Sequence, residues 1–137
     1  MRFMGLDFGE KRVGVALSDS LGIMASALTV IETNTKADLL EQITALAQEY
    51  EVERIIIGLP RSLDGSIGPQ AKKVQDFIKS LSEHTVIPVI EWDERFSTVD
   101  AERVLVEAGV KRDKRKKHRD SVAAAYILQG YLDRVSK

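Results

Sequence analysis

The spacing of apolar positions changes character several times along the chain, and each change marks an element. Residues 2–8 (RFMGLDF) and 12–18 (RVGVALS) are short, mostly apolar runs separated by a turn that holds Gly9, and they predict two strands of a hairpin. Gly14 lies inside the second of them. Residues 27–33 (ALTVIET) predict a third strand. Beyond Lys36 the period lengthens: Leu39, Leu40, Ile43, Leu46, Ala47 and Tyr50 recur at helical spacing. Residues 54–58 (RIIIG) carry a short apolar run, as expected of a strand covered on both faces. Pro69 suits the first position of a second helix, whose stripe is Ala71, Val74, Phe77, Ile78 and Leu81. Residues 86–92 (VIPVIEW) predict a fifth strand, with Pro88 near its start or on an edge. Ser97, with Asp100 three residues on, suits the cap of a helix whose stripe runs Ala101, Val104, Leu105 and Ala108 and stops at Gly109. A last helix over about 120–134 packs Val122, Ala125, Tyr126, Leu128 and Leu132.

In order, three strands precede a helix, a strand, a helix, a strand and two helices. The first three strands can pair as a meander. The fourth and fifth, each reached through a helix, should add parallel to the first by right-handed crossovers. The expected fold is α/β, a mixed five-stranded sheet in the order 3-2-1-4-5 with helices on both faces. At 137 residues, without repeats or linkers, the chain reads as one domain over 1–137. Such sheets bind ligands beyond the carboxyl ends of their parallel strands, where the strand order switches.

That edge is where an unexpected acid lies. Asp7 interrupts the first strand near its end, where an apolar residue would be unremarkable. The fifth strand delivers Asp93, Glu94 and Arg95 to the same edge, and Asp120 joins them if the last helix packs beside the first strand. Carboxylates that converge repel each other and lose hydration unless a cation sits between them. Oxygen ligands without thiolates favour Mg²⁺ or Mn²⁺ over Zn²⁺, and two such ions stabilise both attacking and leaving oxygens of a phosphodiester displacement. Simpler roles compete: Asp7 can accept N–H bonds in its own turn, and Asp120 can cap the last helix. Strand alternation turns at most one of Asp93 and Glu94 towards the site. Glu94 is taken as the ligand and Asp93 as the alternative, while Glu91 and Glu102 read as surface charges.

Composition narrows the partners. Apolar residues make up 44% and charged residues 30%, with a net charge of -1, so a wholly basic coat for nucleic acid is excluded and any such footprint is local. Candidates for it are Lys11 and Arg12 after Asp7, Arg61 after the fourth strand, and Arg95 before Ser97 and Thr98, whose helix N-terminus suits a phosphate. Residues 111–119 (KRDKRKKHR) hold seven Lys and Arg in nine positions, either a solvated loop or a backbone contact. There is no cysteine, so disulfides and thiolate metal sites are excluded. Neither His84 nor His118 has a partner arranged for nucleophilic catalysis. Trp92 reads as core. No signal-peptide pattern or run of membrane-spanning length is present, and a cytoplasmic protein is expected.

Two short motifs mislead. Asp7-Phe8-Gly9 spells a protein-kinase triplet, but no glycine-rich or catalytic loop precedes it. An actin-like or sugar-kinase phosphate loop also places Asp and Gly in a first hairpin, but those proteins close two domains over ATP. By contrast, the set MGLDFGEKRVGVA, IIIGLPRSLDGS, EWDERFSTVDAE and DSVAAAYILQGYL, in that order, closely resembles the YqgF family across the whole chain. These are RNase H-like bacterial proteins described as pre-16S rRNA nucleases or as Holliday junction resolvases. The resemblance implies a ribonuclease-H-like fold and metal-dependent hydrolysis of phosphodiesters near the 5′ end of the small-subunit rRNA precursor. It places the family's acidic positions on Asp7, on Asp93-Glu94-Arg95 and on Asp120. A resolvase acting on four-way DNA, which needs a homodimer with two sites related by a dyad, and a non-catalytic RNA-binding module are the alternatives.

Overall fold

The hairpin at the start of the chain forms the middle of the sheet. In the computed structural model, which describes residues 2–9, 11–60, 67–93 and 112–135, strand β1 (Arg2–Phe8) pairs antiparallel with β2 (Arg12–Ser18). Strand β2 pairs antiparallel with β3 (Ala25–Glu32). On its other side β1 takes β4 (Val52–Leu59) in parallel, and β4 takes β5 (Val89–Asp93) in parallel. The order β3-β2-β1-β4-β5 is the one expected.

Alternation along these strands sends side chains to two separate cores. Met4 and Leu6 of β1, Val13, Val15 and Leu17 of β2 and Ile55, Ile57 and Leu59 of β4 face one way. They pack beneath helices α1 (Lys36–Glu49) and α2 (Pro69–His84). Phe3, Ala16 and Ile56 face the other way, against Ala124, Ile127, Leu128, Tyr131 and Leu132 of α3 (Arg112–Val135). Helices therefore cover both faces, and β4, the least polar strand, is buried from Ile55 to Leu59. Thr35 caps α1 by accepting the Asp38 N–H, and Pro69 opens α2 as its spacing suggested. None of the described helices is long and apolar enough to cross a membrane.

Several boundaries differ from expectation: β3 begins at Ala25 rather than at residue 27, and β4 runs from Val52 to Leu59 rather than over 54–58. Strand β5 begins at Val89 rather than at residue 86, and Val86 is fully exposed. Pro88 has no N–H for the ladder, although its carbonyl accepts from Ile55 N at 2.9 Å, so regular pairing starts one residue later. The larger difference is α3, which begins at Arg112 instead of near Asp120. Residues 112–119 are helical, not a loop, and Asp120 lies inside the helix, so it does not cap it. Lys and Arg are good helix formers, and neither Gly nor Pro interrupts residues 111–129. The helix expected over 97–108 lies outside the described residues.

The β2–β3 turn is tied to α3. Asp19 Oδ1 accepts from Ile23 N at 2.7 Å and from Met24 N at 3.3 Å, with Gly22 at a positive φ of 70° between them. Gln129 of α3 accepts from Ala25 N at 2.8 Å and donates to the Ile23 carbonyl at 3.0 Å.

Two measurements follow from this packing. A methyl group at Gly5 would stand 2.7 Å from Leu128 Cβ and 2.8 Å from the Ala124 carbonyl oxygen, backbone and near-backbone atoms that cannot swing aside. Gly5→Ala is expected to cost about 1–3 kcal/mol, read as a lower denaturation midpoint at unchanged m-value. The N–H of Ile23, followed by that of Met24, holds the Asp19 carboxyl below its ordinary value of 3.8. Stabilisation from a depressed carboxylate is present above that ordinary value and disappears as pH falls through the lower folded one. An NMR titration of the Ile23 amide should accordingly show its midpoint below 3.8.

Candidate active site

Asp7 is the next-to-last residue of β1 and shares the face of Phe3 and Gly5, the side that α3 covers. Its neighbour Phe8 points the opposite way and stacks on Phe77 of α2, ring centroids 4.6 Å apart and 21° between planes. The strand end is thus held from below while the half-buried Asp7 faces the helix side. Gly9 N donates to the Arg12 carbonyl at 2.9 Å and closes the turn.

Across the ladder, Asp7 is in register with Gly14 of β2, a backbone separation of about 4.5–5.5 Å for antiparallel partners. The backbone of α3 comes down at Gly14. A Cβ built there would overlap the Asp120 carbonyl and stand 2.7 Å from Ser121 N. Asp7 and Asp120 therefore flank one residue, the first beside it along the ladder and the second directly over it. Glycine at position 14 is what lets the helix backbone approach so closely.

Arg12 lies two residues before Gly14 and on the same face. Its Nε is 3.1 Å from Asp120 Oδ2, with side-chain exposures of 30% and 23%. Partly exposed pairs of this kind stabilise a fold by about 1 kcal/mol or less, so its principal effect is to orient the carboxylate. Arg12, read from the sequence as a contact for the substrate backbone, is in this structure the partner of an acid of the site.

At the other parallel strand, Trp92 is half-buried and meets Tyr131 of α3 edge to face, centroids 5.7 Å apart, in keeping with a packing role. Asp93, the next residue, is exposed, as is Glu91. Lys11 is exposed in the β1–β2 turn. Arg61, Glu94, Arg95, Ser97 and Thr98 lie outside the described residues. Among the described residues, no group of three or more His, Asp or Glu side chains gathers around one point. The structure pairs Arg12 with Asp120 and sets the Asp120 backbone over Gly14, the ladder partner of Asp7. Sequence reading overlooked Gly14 as a site residue; a glycine within a strand is itself a sign of close backbone approach and would have pointed to it.

Comparisons with known proteins bear on the family and the fold. The RuvX family, described as Holliday junction resolvase, matches residues 1–134. A Halothermothrix orenii protein named "Putative pre-16S rRNA nuclease" is 54% identical over 137 residues, covering 100% of this chain and 98% of its own length. A Clostridium botulinum protein of the same name is 47% identical, with all of both chains covered. Among solved structures, Thermus thermophilus RuvC in complex with a Holliday junction substrate aligns with a TM-score of 0.62 at 15% identity, over 100% of this chain and 97% of that one. The fowlpox virus resolvase with junction DNA aligns at 0.61 and 14% identity over the whole of both chains. At such low identities these two establish the fold, the RNase H-like one that the YqgF resemblance implied. On the sequence matches over its full length, the chain belongs to the RuvX family.

Proposed function

We propose that the chain is a metal-dependent nuclease that hydrolyses phosphodiester bonds in the 5′-end maturation of the small-subunit rRNA precursor. The observation that supports this reading is the Asp120 backbone lying over Gly14, the ladder partner of Asp7, at the edge where β1 and β4 end in parallel. Two carboxylates on one half-buried rim repel each other, and a cation between them relieves that repulsion. The donors are oxygens alone, a set that suits Mg²⁺ or Mn²⁺. Glu94 completes the set in this reading. Asp93, exposed at the end of β5, is its alternative. When bound, the ion supplies charge stabilisation to the attacking and leaving oxygens.

The chain's own residues supply position. Asp7 is fixed by the β1–β2 ladder and by the Phe8–Phe77 stack below it. Asp120 is held over the ladder by the helix and aimed by Arg12. Lys11, and with it Arg61, Arg95, Ser97 and Thr98, bind backbone phosphates in this reading. The names carried by the full-length relatives favour an rRNA precursor as substrate. The family's description favours four-way DNA as the second reading, which also requires a homodimer.

One experiment separates them: wild type, Asp7→Asn and Asp120→Asn, incubated with a 5′-extended small-subunit RNA precursor and with a DNA junction, with and without Mg²⁺. Cutting of the RNA is expected only with the metal, and each substitution is expected to slow it at least about 100-fold while the thermal midpoint stays in place. Undiminished cleavage by Asp7→Asn protein defeats the mechanism. Symmetric cutting of the junction alone, by a dimer, transfers it to the second reading. In the same assay Arg12→Lys should retain more activity than Arg12→Ala, because a lysine keeps the charge beside Asp120 but not the planar fork.

A further inference from the structure

The β1–β2 turn has a second side. Opposite Asp7, a hollow of about 140 Å³ lies between this turn and the segment that leads from β3 into α1. Its floor is apolar, made of Phe8, Val13, Ile31 and Leu39. Its rim is polar and basic: Lys11 and Arg12 from the turn, Asn34 and Lys36 from the other bank. None of the described residues lining it is a carboxylate. A wider hollow of about 580 Å³ adjoins it, sharing Lys11, Thr33 and Asn34 and adding Glu32.

The bank that carries Lys36 is held in shape by its own hydrogen bonds. Thr33 Oγ1 donates to Asp38 Oδ2 at 2.6 Å and accepts from Thr35 N at 3.4 Å, and Thr35 Oγ1 accepts from Asp38 N at 3.2 Å. Gln42 also donates to Asp38 Oδ2, at 2.7 Å. The nearest acid of α1 is therefore occupied by Thr33 and Gln42. With Arg12 paired to Asp120, the cations among the described residues that remain to line the hollow are Lys11 and Lys36. Arg12 itself links the hollow to the acidic site, and only Phe8 separates Asp7 from the turn that forms its near wall.

We propose that this hollow is a subsite for a backbone phosphate of the substrate strand, close to the bond that is cut, with Lys11 and Lys36 as its cationic walls and the ribose on the apolar floor. The proposal rests on the nuclease reading for the word substrate, but the subsite itself is a property of binding. A strand engaged by Asp7 and Asp120 on the α3 side passes over the turn and places its neighbouring phosphate here. The contact reads charge and not sequence, so it fixes the position of the strand without selecting bases.

The test is equilibrium binding of a fluorescent single-stranded RNA oligonucleotide, without divalent metal so that nothing is cut, across a salt series. Lys36→Gln is compared with wild type and with Lys79→Gln, a change at an exposed α2 position away from the hollow. Lys36→Gln is expected to weaken binding several-fold and to lower the slope of log K against log salt by about 0.7, the value of one phosphate contact on a single strand. Lys79→Gln is expected to leave the slope unchanged. An unaltered slope for Lys36→Gln, or an equal fall for Lys79→Gln, overturns the subsite. A lowered slope in a protein that cleaves neither RNA nor junction DNA upholds the subsite and removes the nuclease reading. Normal cleavage with an unaltered slope does the reverse.

Discussion

Helix α3 lies where it does because β1 and β2 present no side chain beneath it at Gly5 and Gly14. A helix normally rests on a layer of side chains about 10 Å from the sheet it covers. Here two turns of its backbone come into direct contact with the strands, and further along, Phe3, Ala16 and Ile56 restore an ordinary apolar interface. The close approach at Gly14 brings Asp120 down to the level of Asp7. With any larger residue at position 14, the helix would have to lift, and the two carboxylates would part company. The acidic pair is thus a consequence of backbone packing in the centre of the fold.

Electrostatics works against that geometry. Two carboxylates on a shared rim destabilise each other, and half-burial weakens the screening that water would provide. Arg12 offsets part of this by pairing with Asp120. In the nuclease reading a divalent ion complements such an arrangement, and its carboxylate oxygens suit hard cations. The surrounding charge is divided with equal economy. A chain of net charge -1 confines its positive groups to short stretches, and one of these is the turn that carries Lys11 and Arg12.

The same turn serves both faces of the sheet. Because side chains alternate along a strand, Asp7 and Phe8 leave the end of β1 in opposite directions, one towards α3 and the acids, the other towards α2 and the floor of the basic hollow. Arg12 lies at the point where the two sides meet. A nucleic-acid strand crossing this rim would find acids for a cation on one side and lysines for a phosphate on the other, with three residues of chain between β1 and β2 to organise both.

Much of this could be read from residue order alone. The periods of apolar residues, the Pro at the start of α2 and the alternation of strands with helices are local properties, and burial imposes them on each element separately; they led directly to the sheet order and to Asp7 as an anomaly. Asp120 was a companion on the condition that the last helix packs beside the first strand, and the family resemblance placed an acidic position there. Other features depended on contacts between distant segments. The early start of α3 was hidden because a run of Lys and Arg has the same composition in a loop and in a solvated helix, and only the docking of residues 120–132 on the sheet favours the helix. The partner of Arg12, the role of Gly14 and the basic hollow beside Lys36 arise where elements far apart in the chain are pressed together. No local period encodes such distances, so they became visible only once the helix had been laid across the hairpin.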